Sequence, residues 1–381
     1  MLREIDTMAM VADKFPSSLR LRVGEWVEVR TPEEILSTLD GNARLDELPF
    51  MPQMLQYCGR RFQVRKRAHK LCDTANSTGA RRMSDSVFLE DLRCDGVAYG
   101  GCEMRCLIFW KESWLRRVED PPGSDAIAAG SGRRPVRDYS SRCSEKDVVV
   151  AGTRAPAPAG PESAPVYVCQ ATQLPRATRP LSRWDIRQYF EDYASGNARV
   201  AEVLSGLLFI VYENLVSSGL GFGSALRWMY DAFQRLRRRS PYPSRLGKLP
   251  SNSPTPSANL GLQVGELVRV KEHAAILETV DEQLRNRGMS FHGEMVPFCG
   301  RTFRVRQRAR KIMNERTGQL MVLKNECLVL DGADCLGRYT NPLLCPRSCY
   351  PYWREILLER VETQPAFAHT QVSQLEPRDR R

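Results

Sequence analysis

Cysteine is the residue type through which this chain could do chemistry. There are twelve cysteines among 381 residues, against only four histidines. Cys102 and Cys106 have three residues between them on a glycine-rich stretch that begins at Cys94 (CDGVAYGGCEMRC), and Cys58 comes from a preceding strand junction. Four thiols of this kind, two close together on a tight loop and two brought in by the fold, are the pattern of a tetrahedral structural zinc site. Gly96, Gly100 and Gly101 would let the backbone turn around an ion.

The pattern occurs twice. Setting Gly24 on Gly265 gives an ungapped match through Lys70 and Lys311 with about twenty identities. Val27, Val29, Ile35, Leu36, Phe50, Met54, Cys58, Gly59, Phe62, Val64 and Arg65 fall on identical residues. After a slip near Thr78 and Gly79, Leu89 falls on Leu330 and Cys94 on Cys335. Cys58, Cys94, Cys102 and Cys106 therefore have counterparts in Cys299, Cys335, Cys345 and Cys349, the last two through a two-residue insertion. An alternative register sets Cys106 on Cys345 and Cys102 on Asn341. Cys72, Cys143, Cys169 and Cys327 have no counterpart. These eight matched thiols predict up to two zinc ions, one per copy. Buried free thiols are the plainer alternative, since free cysteine packs well in cores.

The elements that must position these thiols read as short strands. GEWVEV alternates as a half-buried strand; FQVRKRA, SVFLEDL and CLIFW follow. PEEILSTLD reads as a short helix capped by Thr31 with Pro32 at its first position, and Glu33 and Glu34 belong to its first turn. The expected fold is α+β, two small β-rich modules of SH3-like barrel type around a helical middle.

The expected order is a loose leader (1–18), a first module (19–119), a disordered Pro/Gly/Ala-rich linker (120–165), a helical segment (166–239), a linker (240–259), a second module (260–362) and a disordered tail (363–381). In the helical segment Leu204, Leu207, Leu208, Val211 and Leu215 form one stripe, and Phe222, Leu226, Met229, Phe233 and Leu236 another. They predict a packing face against the modules or another chain. SGLGFGS lacks the strand before it and the Lys-Ser or Lys-Thr ending of a phosphate loop, and reads as a helix break.

No apolar run approaches the roughly 20 residues of a membrane helix, and the N-terminus lacks a secretory pattern. A cytoplasmic protein is expected, and in a reducing compartment metal ligands or free thiols are favoured over disulfides. No histidine is shared by the two copies to act as a base. The net charge of +11 is scattered. It recurs on one strand face as Arg65, Arg67 and Lys70, matched by Arg306, Arg308 and Lys311. That face, with Tyr57, Trp110 and Trp114 nearby, could contact phosphates and bases; the alternative is a strand kept soluble by charge.

GEWVEVRTPEEILSTLD, PFMPQMLQYCGRRFQVRKRAHK and CLIFWKESWL, with VPFCG and YPYWRE in the second copy, resemble a bacterial family of duplicated cysteine-containing proteins. The likeness covers both modules and the helical block, and it implies no activity, cofactor or catalytic residue. The favoured reading is a non-enzymatic, metal-stabilised tandem binding or scaffold protein with a protein partner. The alternatives are an enzyme or accessory factor with reactive thiolates at Cys102, Cys106 or Cys345, and a nucleic-acid-binding protein.

Overall fold

In a computed structural model, residues 18–76, 79–119, 143–155, 164–219, 221–237, 239–251 and 253–361 are described. The fold is mixed α+β, with two curled antiparallel sheets. The first sheet is built from β1 (Trp26–Val29), β4 (Arg61–Arg67), β7 (Ser86–Arg93), β8 (Leu107–Lys111) and β9 (Leu115–Val118), in the order β8-β7-β4-β1-β9. The second joins β11 (Leu267–Val270), β14 (Thr302–Met313), β15 (Leu320–Leu330) and β16 (Leu358–Arg360), in the order β15-β14-β11-β16. Where the first sheet has β8 beside β7, the second has a single bridge, Leu328 with Trp353.

Matched positions do matched work in the two sheets. Val27 pairs with Phe62 and Val268 with Phe303. The register slips between Val64 and Lys66, and again between Val305 and Gln307; a bulge of this kind increases local twist and curls a sheet onto itself. Inside the curl lie Val27, Val29, Ile35, Phe50, Met54, Trp110 and Trp114 in one half. Val268, Val270, Ile276, Phe291, Met295 and Trp353 fill the other.

The helix read from PEEILSTLD is α1 (Pro32–Leu36), with the Thr31 hydroxyl accepting from Glu34 and the Glu34 carboxylate accepting from Thr31. This reciprocal cap satisfies two of the orphan N–H groups at a helix start. Its counterpart α7 (His273–Leu277) lacks a side-chain cap. Short hairpins follow each helix: β2 (Arg44–Leu45) with β3 (Leu48–Pro49), and β12 (Arg285–Asn286) with β13 (Met289–Ser290).

The described parts of the two expected linkers are packed. Within 120–165, Cys143 and Val148 are buried in the first core, Val148 on α2 (Glu145–Val150). The Pro/Ala-rich composition hid this anchor, because two apolar side chains suffice to fix a short segment. Within 240–259, Tyr242 is buried against Phe209, Tyr212 and Tyr230. Residues 120–142 and 156–163, the leader apart from Ser18, and the tail lie outside the described residues.

The helical segment begins with α3 (Gln170–Ala177), and β10 (Arg179–Leu181) then adds to the small hairpin of β5 (Lys70–Cys72) and β6 (Ala80–Arg82). The Gln170 side-chain amide donates to the Phe109 carbonyl (2.9 Å) and accepts from the Phe109 N–H (2.8 Å), completing the open edge of β8. Three helices follow: α4 (Arg187–Ser195), α5 (Val200–Val216) and α6 (Gly223–Leu236). The glycine stretch between α5 and α6 is the helix break that the sequence predicts, with Gly219 and Gly221 at positive φ. Among the described residues no helix is long and apolar enough to cross a membrane.

One buried carboxylate closes each sheet. Glu112 accepts from the N–H groups of Arg20 (2.8 Å) and Leu21 (3.2 Å), with Arg67 3.5 Å away. Glu355 accepts from Gly261 (3.1 Å) and Leu262 (3.2 Å), with Arg308 3.6 Å away. Each holds the segment that leads into its module. Removing such an acceptor leaves buried donors and an arginine unpaired, a loss of roughly 2 to 4 kcal/mol. Glu112→Ala and Glu355→Ala are each expected to lower stability by that amount in urea unfolding; a change below about 0.5 kcal/mol, the scale of an ordinary surface substitution, would contradict the assignment.

Candidate functional site

The cysteine loops of the two modules face each other. In the first, the Cys94 N–H donates to the Cys106 carbonyl at 2.8 Å; in the second, Cys335 donates to Cys349 at 2.9 Å. Each loop turns on a glycine at positive φ beside the next cysteine. A Cβ on Gly96 would lie 1.8 Å from the Cys102 carbonyl oxygen, and one on Gly337 2.5 Å from the Cys345 amide nitrogen. Structural equivalence therefore joins Cys102 with Cys345 and Cys106 with Cys349, the register with the insertion.

Contacts between the loops are reciprocal. The Cys72 N–H donates to the Cys345 sulfur at 3.4 Å, while the backbone of Met313, at the position matching Cys72, bonds to Cys102. Arg93 and Asp334, at matching positions, pair with each other at 3.1 Å. Contacts of i with j′ and of j with i′ are the mark of a two-fold relation, here within one chain.

At the centre of this seam Cys94, Cys102, Cys106, Cys169 and Cys349 line one cavity of about 30 Å³, with Met51, Met104 and Met313. That is room for about one water-sized particle. Arg347, 4% exposed, reaches out of the second loop into the first module. Its guanidinium donates to the Cys72 carbonyl (3.2 Å) and the Thr74 hydroxyl (2.6 Å) and pairs with buried Glu315 (3.2 Å).

Burial pushes these thiols up. Cys94 rises to about 12, and Cys169 and Cys349 to about 11, with desolvation the first cause in each. Cys102 and Cys106 rise for the same reason. A thiol so placed is a poor nucleophile at neutral pH.

The structure brings together only part of the expected ligand sets. Cys94, Cys102 and Cys106 share the cavity, but Cys58 does not line it; it feels Glu33 and Glu145 and is pushed to about 11, mainly by burial. Cys299 is likewise removed, beside Glu272, and is pushed to about 12 by burial. Cys335 and Cys345 lie outside the cavity lining, and Cys345 faces Cys72 instead, with the sulfurs 3.5 Å apart. Among the described residues no three His, Cys, Asp or Glu side chains converge as a metal-ligand group.

The expected basic face is tied up within the protein. Arg65 pairs with Asp91 (3.3 Å) and Asp334 (3.6 Å), Arg67 with Glu112, Arg306 with Asp331 (2.8 Å), and Arg308 with Glu326 (2.6 Å). Lys311 remains exposed. The phosphate role read for Lys70 is corrected: its side chain is fully buried and bonded to Asp192 of α4, because the helical segment covers that end of the strand. Trp110 and Trp114 are also fully buried, so they cannot stack on a base.

The helical segment grips both modules. His69 lies 3.2 Å from Asp192, and the Asn197 side chain exchanges two hydrogen bonds with the Arg67 backbone (2.7 and 2.8 Å). On the other side Phe209 meets Tyr339 of the second module edge to face, ring centroids 4.9 Å apart. Of the stripes that the sequence predicts as packing faces, Leu207 and Leu226 are half-buried and the rest are exposed. Leu204, Leu208, Val211 and Leu215 of α5 are 49 to 70% exposed, and Met229, Phe233 and Leu236 of α6 are 52 to 84% exposed. Trp184, Phe190 and Trp228 are exposed as well.

Comparison with known proteins finds no matching family, no matching curated protein and no matching solved structure.

Proposed function

We propose that this chain is a non-enzymatic binding or scaffold protein. Two β modules of SH3-like type and their helical bridge present the outer faces of α5 and α6 to a protein partner. The exposure of Leu204, Leu208, Val211, Leu215, Met229 and Phe233 on one helical pair carries this reading. Monomeric soluble proteins rarely expose apolar surface in one contiguous patch unless it binds something. Two adjacent helices, Val200–Val216 largely apolar and Gly223–Leu236 amphipathic, offer anchors at successive turns, the mode by which helices dock into grooves or onto other helices. The partner is a protein with a complementary apolar stripe.

Support for the alternatives is weaker. Thiols raised by burial do not favour a thiolate enzyme at Cys102 or Cys106. Ion pairing of Arg65, Arg67, Arg306 and Arg308 leaves little free charge for phosphates.

A structural metal of zinc type is part of the proposal. Its ligands would come from among Cys94, Cys102, Cys106, Cys169 and Cys349, which line one cavity without converging as a ligand group, so loading would have to draw them together. Zinc binds thiolate, so loading would release protons from thiols that burial keeps protonated. One shared ion replaces the two expected, because Cys58 and Cys299 lie apart from the seam. Elemental analysis of protein purified without a metal column is expected to give close to one zinc per chain, falling sharply in Cys102→Ser, Cys106→Ser protein. Wild-type protein without zinc would remove this part of the proposal.

The binding surface has its own test. Leu208→Glu, Val211→Glu, Phe233→Glu protein is expected to keep its unfolding midpoint, since exposed positions change stability by about 0.5 kcal/mol or less each. Quantitative affinity purification with the full chain should then show partners retained by the wild type and lost by the variant. An identical set of retained proteins would contradict the reading. Loss of binding to anionic phosphatidylserine vesicles instead would assign the face to a lipid surface.

A further inference from the structure

Cys72 and Cys345 are 273 residues apart in sequence, yet their sulfurs lie 3.5 Å from each other. Cys72 sits at the end of β5 in the first module, and Cys345 in the cysteine loop of the second. The position of Cys72 is fixed by the Arg347 guanidinium on its carbonyl and by its own N–H bond to the Cys345 sulfur. Arg347 itself is anchored on Thr74 and Glu315. Both backbones are thus held on either side of the sulfur pair.

The reciprocal contact differs. There the position of Cys72 is taken by Met313, which faces Cys102 and offers no second thiol. Only one of the two equivalent contacts can therefore be cross-linked. Cys72 is half-buried and Cys345 is 6% exposed, so a small reagent reaches Cys72 first.

We propose that Cys72 and Cys345 are a disulfide-forming pair that covalently clamps the first module to the second when a low-molecular-weight disulfide acts as oxidant. The Cys72 thiol, pushed well up by its hydrogen bond with Cys345 and by burial, reacts through its thiolate, so the first step quickens as pH rises. The thiolate attacks one sulfur of RSSR, forming a Cys72–SR mixed disulfide and expelling RS⁻. The Cys345 thiolate then attacks the Cys72 sulfur, forming the protein disulfide and expelling a second RS⁻. The two protein thiols give up two protons and two electrons, and RSSR takes them up as two RSH. The sulfurs must close from 3.5 Å to a bond of about 2.05 Å, a movement within reach of side-chain rotation. This clamp is independent of what binds the helical face and of whether zinc occupies the cavity, since neither cysteine lines it.

The test uses the full chain treated with oxidised glutathione, remaining thiols blocked with N-ethylmaleimide, and tryptic digestion without reductant. Mass spectrometry is expected to find the peptide 71–81 joined to 339–347, two hydrogens lighter than the sum of the reduced peptides. Dithiothreitol should abolish the product, and Cys345→Ser protein should leave Cys72 carrying glutathione. The clamped wild type should also unfold at a higher temperature than its reduced form. Because the cross-link is read in wild-type protein, a poorly folding variant does not decide the matter. Recovery of wild-type Cys72 only as its glutathione adduct, with Cys345 alkylated or joined to another cysteine, would overturn the proposal.

Discussion

A guanidinium inside the protein sets the terms for everything around it. Arg347 leaves the second module's cysteine loop and ends among Cys72, Thr74 and Glu315, with almost no contact with water. A buried charge costs several kcal/mol unless it is paired and fully hydrogen-bonded, and breaking such a pair costs about 3 to 5 kcal/mol. Arg347 is tolerated only while both modules stay in place, because its partners come from both. This condition makes one body of two sheets that each have a core of their own. The Cys72–Cys345 approach and the thiol-lined cavity exist only as consequences of that docking.

The docking also fixes the helical bridge. Asp192 satisfies Lys70 and meets His69 on the first module, while Phe209 packs edge to face on Tyr339 of the second. A bridge anchored at both ends cannot turn its outer stripes inward. Leu208, Val211 and Phe233 are consequently left in water, where burial against a partner would recover roughly 1.5 to 3 kcal/mol per fully covered side chain. Rigidity at one face and an uncovered apolar surface at the other belong to the same arrangement.

Much of each sheet was legible in the sequence, because strand alternation and the Thr31 cap are local signals. GEWVEV, FQVRKRA, SVFLEDL and CLIFW become strands in the expected places. The site was legible only in part. Searching for residues kept in both copies finds those that do the same work twice, such as Val27 and Phe62, which pair as Val268 and Phe303 do. It is blind to residues that bridge the copies: Cys72 is matched by Met313, Arg93 by Asp334, and Cys169 lies outside both copies. Lys70 was misread for a related reason, since nothing in a strand's own alternation reveals that α4 will cover its end with Asp192.

Differential scanning calorimetry of the full chain under reducing conditions, beside Arg347→Met protein, tests the docking most directly. A single body predicts one transition whose calorimetric and van't Hoff enthalpies agree, with the midpoint lowered in the variant or the transition split in two. Two separate transitions in the wild type, both unmoved by the substitution, would show that the modules fold and unfold independently and would contradict the account.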